Sequence, residues 1–262
     1  MEKEPLFIAF ASQKGGVGKT AFTVLTAGIL HYRRGYNIAV VDCDSPQHSI
    51  GLMRDRDMEC VKENDSLKVA LYRQHEQSQK RAYPIIKSDP EHAVEDLYHY
   101  ARERDTVFDI VLFDLPGTLR SIGVIQTVAS MHHIFIPLKA DNVVMQSSLQ
   151  FATVTREELI ARGNCPLKGV HLFWNMIDKR ERKDAYEAWN KVIQASDQHL
   201  MTTRVPDTKR YNKELSCVQD SIFRSTLFPP DNRQVKGSGL MELVDEICGI
   251  CGLEKYSIPQ NA

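Results

Sequence analysis

Lys14, Gly15, Gly16, Val17, Gly18, Lys19 and Thr20 follow one another near the N-terminus, a mix of types suited to holding a polyanion. Glycines let backbone amides come close to phosphate oxygens, a lysine reaches the β- and γ-phosphates, and a threonine hydroxyl can join the accompanying divalent cation. Two other places offer carboxylates at the ends of apolar runs: Val41-Asp42-Cys43-Asp44, and Asp114 followed by Leu115, Pro116 and Gly117. Acids at strand ends beside a phosphate-binding loop can hold Mg2+, directly or through water, and orient an attacking water. Asn175 closes a further apolar run, and its amide can both donate to and accept from an adenine edge. Each feature has a plainer reading: a Gly-rich turn for the loop, a strand-end cap for Asp42, Asp44 or Asn175, and a turn after a buried strand for Asp114. For the loop the plainer reading is weak, since at residue frequencies near 7% a chance match to six specified positions is on the order of one in 10⁵.

These residues need a frame to bring them together. Apolar runs at residues 6–11, 37–41, 109–113, 133–138 and 169–174 read as strands buried on both faces. Amphipathic stretches at 20–34, 91–104, 142–162, 183–196 and 239–251 read as helices between them, the alternation that right-handed βαβ units produce. The expected fold is α/β, a doubly wound three-layer sandwich around a mostly parallel sheet. The phosphate loop then joins the first strand to the first helix, whose N-terminal amides and dipole face the anion. Gly35 and Gly163 each follow a stretch ending in arginine, where a helix C-terminus favours a left-handed residue. Residues 54–81, dense in charges of both signs, read as a surface elaboration with one short helix at 67–72. Residues 225–238, with paired prolines, read as an irregular loop.

The chain has 262 residues, enough for one large domain spanning residues 1–262. Its apolar fraction of 42% and charged fraction of 26% are those of a folded globular protein. A net charge of −1 means that any nucleic-acid binding must come from a local basic patch. Six cysteines without framework spacing fit a reducing cytosol. No stretch reaches the roughly 18 apolar residues of a membrane span, so a cytoplasmic location is expected.

Gln13 stands where the standard phosphate loop has its first glycine, and Lys14 adds a second lysine. With that loop the chain resembles the deviant Walker A ATPases, the P-loop NTPase family of ParA partition proteins, MinD, arsenite-pump ATPases and the nitrogenase iron protein. The likeness runs on through Phe135-Ile136-Pro137-Leu138, the long helix after Asp141, Asn175 and Val205-Pro206. It implies ATP and ADP as ligands with Mg2+, and an ATP-dependent homodimer in which Lys14 crosses to the other subunit's nucleotide. Lys19 and Thr20 then hold the phosphates and Mg2+, Asp44 positions the hydrolytic water, and Asp42 and Asp114 support the metal. Asn175, Pro206 and Asp207 flank the adenine. The likeness also carries departures: Ala21 replaces a second threonine reaching the α-phosphate, and Ser45 interrupts the family's Asp-Pro-Gln.

ParA-like dimers bind DNA without sequence preference through late Lys/Arg clusters. Candidates are Lys179, Arg180, Arg182 and Lys183, and then Lys209, Arg210 and Lys213. Acidic neighbours Asp178, Glu181 and Asp184 leave a solvated helix face as the alternative for the first cluster. Few residues precede the first strand, so a ParA-like chain without an N-terminal helix-turn-helix domain is expected. It would associate with the nucleoid when ATP-bound and serve partition or transfer of a plasmid, chromosome or conjugative element, with a ParB-like activating partner. The Asp-Cys-Asp-Ser-Pro-Gln stretch resembles ParA-type proteins of conjugative transposons in Bacteroides-like bacteria. Two other readings stay open, an ATP-gated scaffold for a protein partner and an iron–sulfur or metal carrier. The acidic C-terminal stretch at 241–251 argues against a MinD-like membrane anchor. Cys248 and Cys251 could serve the carrier as ligands, with buried apolar cysteines as the plainer reading.

Overall fold

The computed structural model describes residues 4–117, 121–178, 183–217 and 222–254. Seven strands form one sheet in the order β3-β2-β4-β1-β5-β6-β7. They are β1 (Leu6–Phe10), β2 (Ile38–Asp42), β3 (Ile85–Lys87), β4 (Ile110–Asp114), β5 (His133–Leu138), β6 (Gly169–Ile177) and β7 (His199–Pro206). All pairings between neighbours are parallel. The helices are α1 (Lys19–Gly28), α2 (Ser49–Glu63), α3 (Asp65–Ser78), α4 (Ala93–Glu103), α5 (Ile122–Ser130), α6 (Asn142–Thr155), α7 (Lys183–Ala195), α8 (Asn232–Val235) and α9 (Leu240–Ile250). The ends of α1 and α6 loosen into π-helical turns, Ile29–Arg33 and Arg156–Ile160. Gly35 and Gly163 follow them with φ of 74° and 66°, the left-handed residues expected there.

The period of two inside the apolar runs sorts the core into two layers. Phe7, Ala9 and Ala11 face the layer holding Leu97 of α4, Val128 of α5 and Phe151 of α6. Ile8 and Phe10 face the other, with Phe22 and Leu25 of α1, Ile50 and Met53 of α2 and Leu243 of α9. Burying one such side chain contributes about 1.5–3 kcal/mol, so both faces of the sheet are closed by helices and the all-parallel arrangement is held.

The five expected strands are present, and two more flank them. β3 has three residues, too few to show a pattern, and β7 is an edge strand carrying His199, Thr202, Thr203 and Arg204 rather than an apolar run. The charged segment at 54–81 holds more helix than the one short piece expected at 67–72, which lies inside α3. The segment lies within α2, α3 and the residues just after them, the first of which, Gln79, is left-handed with φ of 55°. The buried stripe of α2 runs Ile50, Met53, Asp57, Cys60 and Val61, and the acid in its middle broke the apolar period. That acid is satisfied: Asp57 accepts from the Thr226 amide (2.6 Å), the Thr226 hydroxyl (2.8 Å) and the Ser225 hydroxyl (3.0 Å). Residues 225–228 are therefore buried, while the stretch as a whole is irregular apart from α8.

Candidate nucleotide-binding site

β1 lies at the centre of the sheet with β4 on one side and β5 on the other. The chain leaves β1 toward β2 on one side and later crosses from β4 to β5 on the other, and a crevice opens at the carboxyl edge of the strands at such a switch point. The Gly-rich loop occupies that edge. Gly16 and Gly18 have φ of 73° and 92°, a region costly for any residue with a Cβ. At Gly18 a Cβ would also come within 3.1 Å of the Phe22 ring and 3.3 Å of Asn175 Nδ2. Val17 is the buried anchor of the loop, and its carbonyl accepts from Asn175 Nδ2 at 2.9 Å. No side chain caps the start of α1, so its first amides remain available for an anion.

Lys19 and Thr20 begin α1 and turn toward the ends of β4 and β2. Burial lowers the pKa of Lys19, and the charges of Asp114 and then Asp44 oppose that shift. The site of a Cβ on Gly117 lies 3.8 Å from Lys19 Nζ, so the turn after Asp114 reaches the same ammonium. Thr20 Oγ1 donates to Asp114 Oδ2 at 2.7 Å. Asp114 Oδ1 is buried without a partner. Burial pushes Asp114 up to about 7 and the nearby Asp42 and Asp44 add to the rise, while the Thr20 hydroxyl and Lys19 oppose it. A hydroxyl beside a carboxylate with one oxygen orphaned is a hard-oxygen donor set that fits Mg2+.

Asp42 is spent differently. Its Oδ2 accepts from the amides of Ile50 (2.9 Å) and Gly51 (3.0 Å), which fastens the first turn of α2 to the end of β2. Oδ2 thus acts as a strand-end anchor, while Oδ1 takes only the Asp44 amide at 3.4 Å, and Asp42 lies close enough to Asp114 to raise its pKa. Asp44 is half-buried, and its carbonyl accepts from the His48 amide at 2.8 Å across the turn that holds Ser45. Lys14 is exposed, and its amide donates to Ser12 Oγ at 3.2 Å.

A cleft of about 280 Å3 runs from Gly16, Gly18, Lys19, Thr20 and Ala21 to Asn175, Pro206 and Asp207. Gly15 is exposed beside it on the loop. Sequence reasoning missed the rest of the far wall: Met176, Thr208, Tyr211, Asn212 and Arg224. Tyr211 packs 5.5 Å from the Phe22 ring and donates to the Ser238 carbonyl. Arg224 donates to Glu214 Oε1 at 2.5 Å, the second oxygen of Glu214 pairs with Arg56 of α2 at 2.7 Å, and Arg224 Nε is buried without a partner. Met176 and Thr208 adjoin residues already singled out, whereas nothing in the local sequence signals Tyr211, Asn212 and Arg224, which the fold brings in from distant segments. Gly239 marks one such approach: at φ 76° a Cβ would meet the Arg204 carbonyl at 3.1 Å.

Of the basic candidates, Lys179, Arg180 and Arg182 lie outside the described residues, and Lys183 opens α7. Lys209 and Lys213 are exposed around a 3₁₀ turn, Lys209–Asn212. Arg210 donates from Nη1 to the carbonyls of Gln234 (2.8 Å) and Lys236 (2.7 Å), which ties that turn to the segment before α9. Among the described residues no three His, Cys, Asp or Glu side chains group to hold a metal ion, and no helix is long and apolar enough to cross a membrane. Cys248 is buried in α9 and Cys251 half-buried at its end.

A Gly-rich loop between the central strand and first helix of a parallel sheet, with a threonine and a strand-end aspartate beside the loop lysine, defines a P-loop nucleotide-binding protein. The chain belongs to the CobQ/CobB/MinD/ParA nucleotide-binding domain family, whose model matches residues 8–217. No curated protein matches it by sequence. Solved structures share the fold at low identity. A plasmid partition protein of Borrelia burgdorferi bound to AMPPNP aligns over 94% of this chain and 100% of its own, with 15% identity and a TM-score of 0.56. The MinC:MinD cell division complex of Aquifex aeolicus aligns over 96% and 99%, with 14% identity and a TM-score of 0.56. The pNOB8 ParA bound to nonspecific DNA aligns over 95% and 99%, with 13% identity and a TM-score of 0.57.

Proposed function

We propose that this chain is a nucleotide-gated switch. It binds ATP with Mg2+, closes into a two-fold homodimer around two nucleotides, binds DNA without sequence preference in that state, and releases it after hydrolysis to ADP. The observation that carries the reading is the divergence of two lysines on one loop. Lys19 sits within the field of Asp114 and Asp44, whereas Lys14 is exposed. A second lysine on a loop whose own cation is already supplied is placed to reach another subunit's phosphates.

Within one subunit the loop amides and Lys19 bind the phosphates, and Asp44 holds the attacking water. Thr20 and Asp114, supported by Asp42, would hold Mg2+, and the ion would supply positive charge to offset the negative charge that develops in phosphoryl transfer. Asn175 keeps its amide on Val17 and offers its carbonyl oxygen to the exocyclic amine of adenine, between Pro206 and Asp207. Lys209 and Lys213, with Lys179, Arg180, Arg182 and Lys183, supply the phosphate-contacting cations for DNA. The similarity to a partition protein and to a DNA-bound ParA supports service in plasmid, chromosome or conjugative-element partition. The similarity to MinD in complex with MinC supports a protein partner of this chain, which we take to be a ParB-like activator.

Light scattering of the purified chain without nucleotide, with ADP and with ATP tests the gate, beside salt-dependent DNA retention and a Lys14→Ala variant. Dimers are expected only with ATP and not in the variant, and DNA retention is expected to fall steeply with salt. Dimers that form without ATP, or that survive Lys14→Ala unchanged, overturn the reading.

A further inference from the structure

Away from the nucleotide site, two thiols meet. Cys60 lies on the buried stripe of α2 and Cys217 on the segment after the 3₁₀ turn, and their sulfurs are in direct contact, 2.6 Å apart. Both backbones are held independently of the sulfur contact. Asn64, at the junction of α2 and α3, donates from Nδ2 to the Cys217 carbonyl at 2.9 Å. Cys60 packs with Val61, Leu67, Leu215 and Phe228 in a small apolar cluster between α2, α3 and this segment. An open cleft of about 880 Å3 is lined by both cysteines together with Arg56, Glu59 and Lys62, so a small oxidant can reach the pair. The surroundings thus fix two cysteines far apart in sequence face to face at a solvent-accessible seam.

We propose that Cys60 and Cys217 form a reversible disulfide, a redox-modification site that fastens α2 to the segment walling the nucleotide cleft. The oxidant is a low-molecular-weight disulfide of the glutathione type. One cysteine thiolate attacks it, giving a mixed disulfide and one small thiolate. The second cysteine thiolate then attacks the protein sulfur of that mixed disulfide and expels the second small thiolate. Two protein thiols lose two electrons and two protons, and the small disulfide is reduced to two thiols. Burial pushes Cys60 up to about 11 and the Cys217 contact adds to the rise, so the reaction quickens with rising pH.

The seam sits at a strategic junction. Glu214, three positions before Cys217, bridges Arg56 of α2 and Arg224 of the cleft wall. α2 itself starts from the corner held by Asp42. A covalent bond here would tie the two walls together, and its chemistry stands whether or not the proposed switch is correct.

The test uses the unaltered chain, incubated with oxidised glutathione at mildly alkaline pH and mapped by peptide mass under non-reducing conditions. Two of the six thiols should disappear, a linked peptide should join Cys60 to Cys217, no glutathione should remain attached, and dithiothreitol should restore both thiols. Because the bond would close a long loop, the oxidised chain should melt about 10 °C higher. Cys60→Ser and Cys217→Ser should each abolish the linked peptide. Full alkylation of both cysteines after oxidation, pairing of either with a different cysteine, or a lower melting temperature on oxidation would each overturn the proposal, and the map of the unaltered chain decides even if a variant fails to fold.

Discussion

Asp57 and Asp114 are both about 1% exposed, and both are pushed above the ordinary carboxylate range by burial. Their surroundings differ in kind. Asp57 receives three donors from Ser225 and Thr226, and Arg54 lies close enough to lower its pKa. Asp114 receives one donor, from Thr20, keeps one oxygen unpartnered, and sits among two other acids. A buried carboxylate whose donors come from its own chain holds the fold together. A buried carboxylate left short of donors at the edge of a sheet marks where a cation belongs. Asp42 stands between them, with Oδ2 held by two backbone amides and Oδ1 in a single 3.4 Å contact.

The comparison breaks most visibly by mutation. Asp114→Asn should lower Mg2+-dependent ATP hydrolysis by on the order of 10²-fold, with the melting temperature of the nucleotide-free chain unchanged or raised, read by phosphate release and calorimetry. Asp57→Ala should do the reverse. Removing three buried hydrogen bonds costs about 3 kcal/mol, a melting temperature lower by roughly 6–12 °C, with hydrolysis per folded molecule retained. Similar losses of activity from both variants would erase the distinction.

Acidity sharpens it further. Asp114 titrates near 7 in the fold against an ordinary value of 3.8. The nucleotide-free chain therefore binds more protons at this site than the unfolded chain, and the site's contribution to stability is lost as pH rises toward 7. Mg2+ competes with that proton, so its apparent affinity should rise about tenfold per pH unit below 7 and level off above it, measured by titration calorimetry with ATP present. A flat profile would mean that Asp114 is already ionised.

The histidines at the amino ends of β5, β6 and β7 give the opposite sign. His133, His171 and His199 form a hydrogen-bonded ladder, with contacts of 3.0 Å and 2.8 Å. Burial lowers His133 to about 4 and His171 to about 3 from an ordinary 6.5. Their contribution is complete above 6.5 and is lost as pH falls toward those lowered values. His171→Asn should flatten that acid limb in denaturation curves without changing nucleotide affinity. The smallest effect is expected at the cleft wall: Glu214→Ala frees Arg224 and should weaken binding of a fluorescent ATP analogue by about three- to tenfold.

Much of the frame was legible along the chain. Buried parallel strands need continuous apolar runs, and five of the seven announced themselves that way. β3 and β7 did not, one being too short and the other an edge with polar side chains. The two helices across the charged segment were obscured because Asp57 replaces an apolar residue on the stripe that α2 buries, and its donors lie 168 and 169 residues away. The phosphate end of the cleft was readable because its residues are consecutive or end a strand. Of the far wall only Asn175, Pro206 and Asp207 were foreseen, through the family resemblance, because Tyr211 and Arg224 reach it from separate segments.

The sequence by itself determined the Gly-rich loop, the two lysines on it and the acids at the strand ends, because those tasks depend on residue type and near neighbours. Tertiary structure alone decided which acid is short of donors, which arginine walls the cleft and which two of the six cysteines face each other. The physical reason is that donor supply, burial and thiol contact depend on which side chains the folded sheet and its helices bring together, up to 157 positions apart for the two thiols, and those meetings exist only once the sheet has formed.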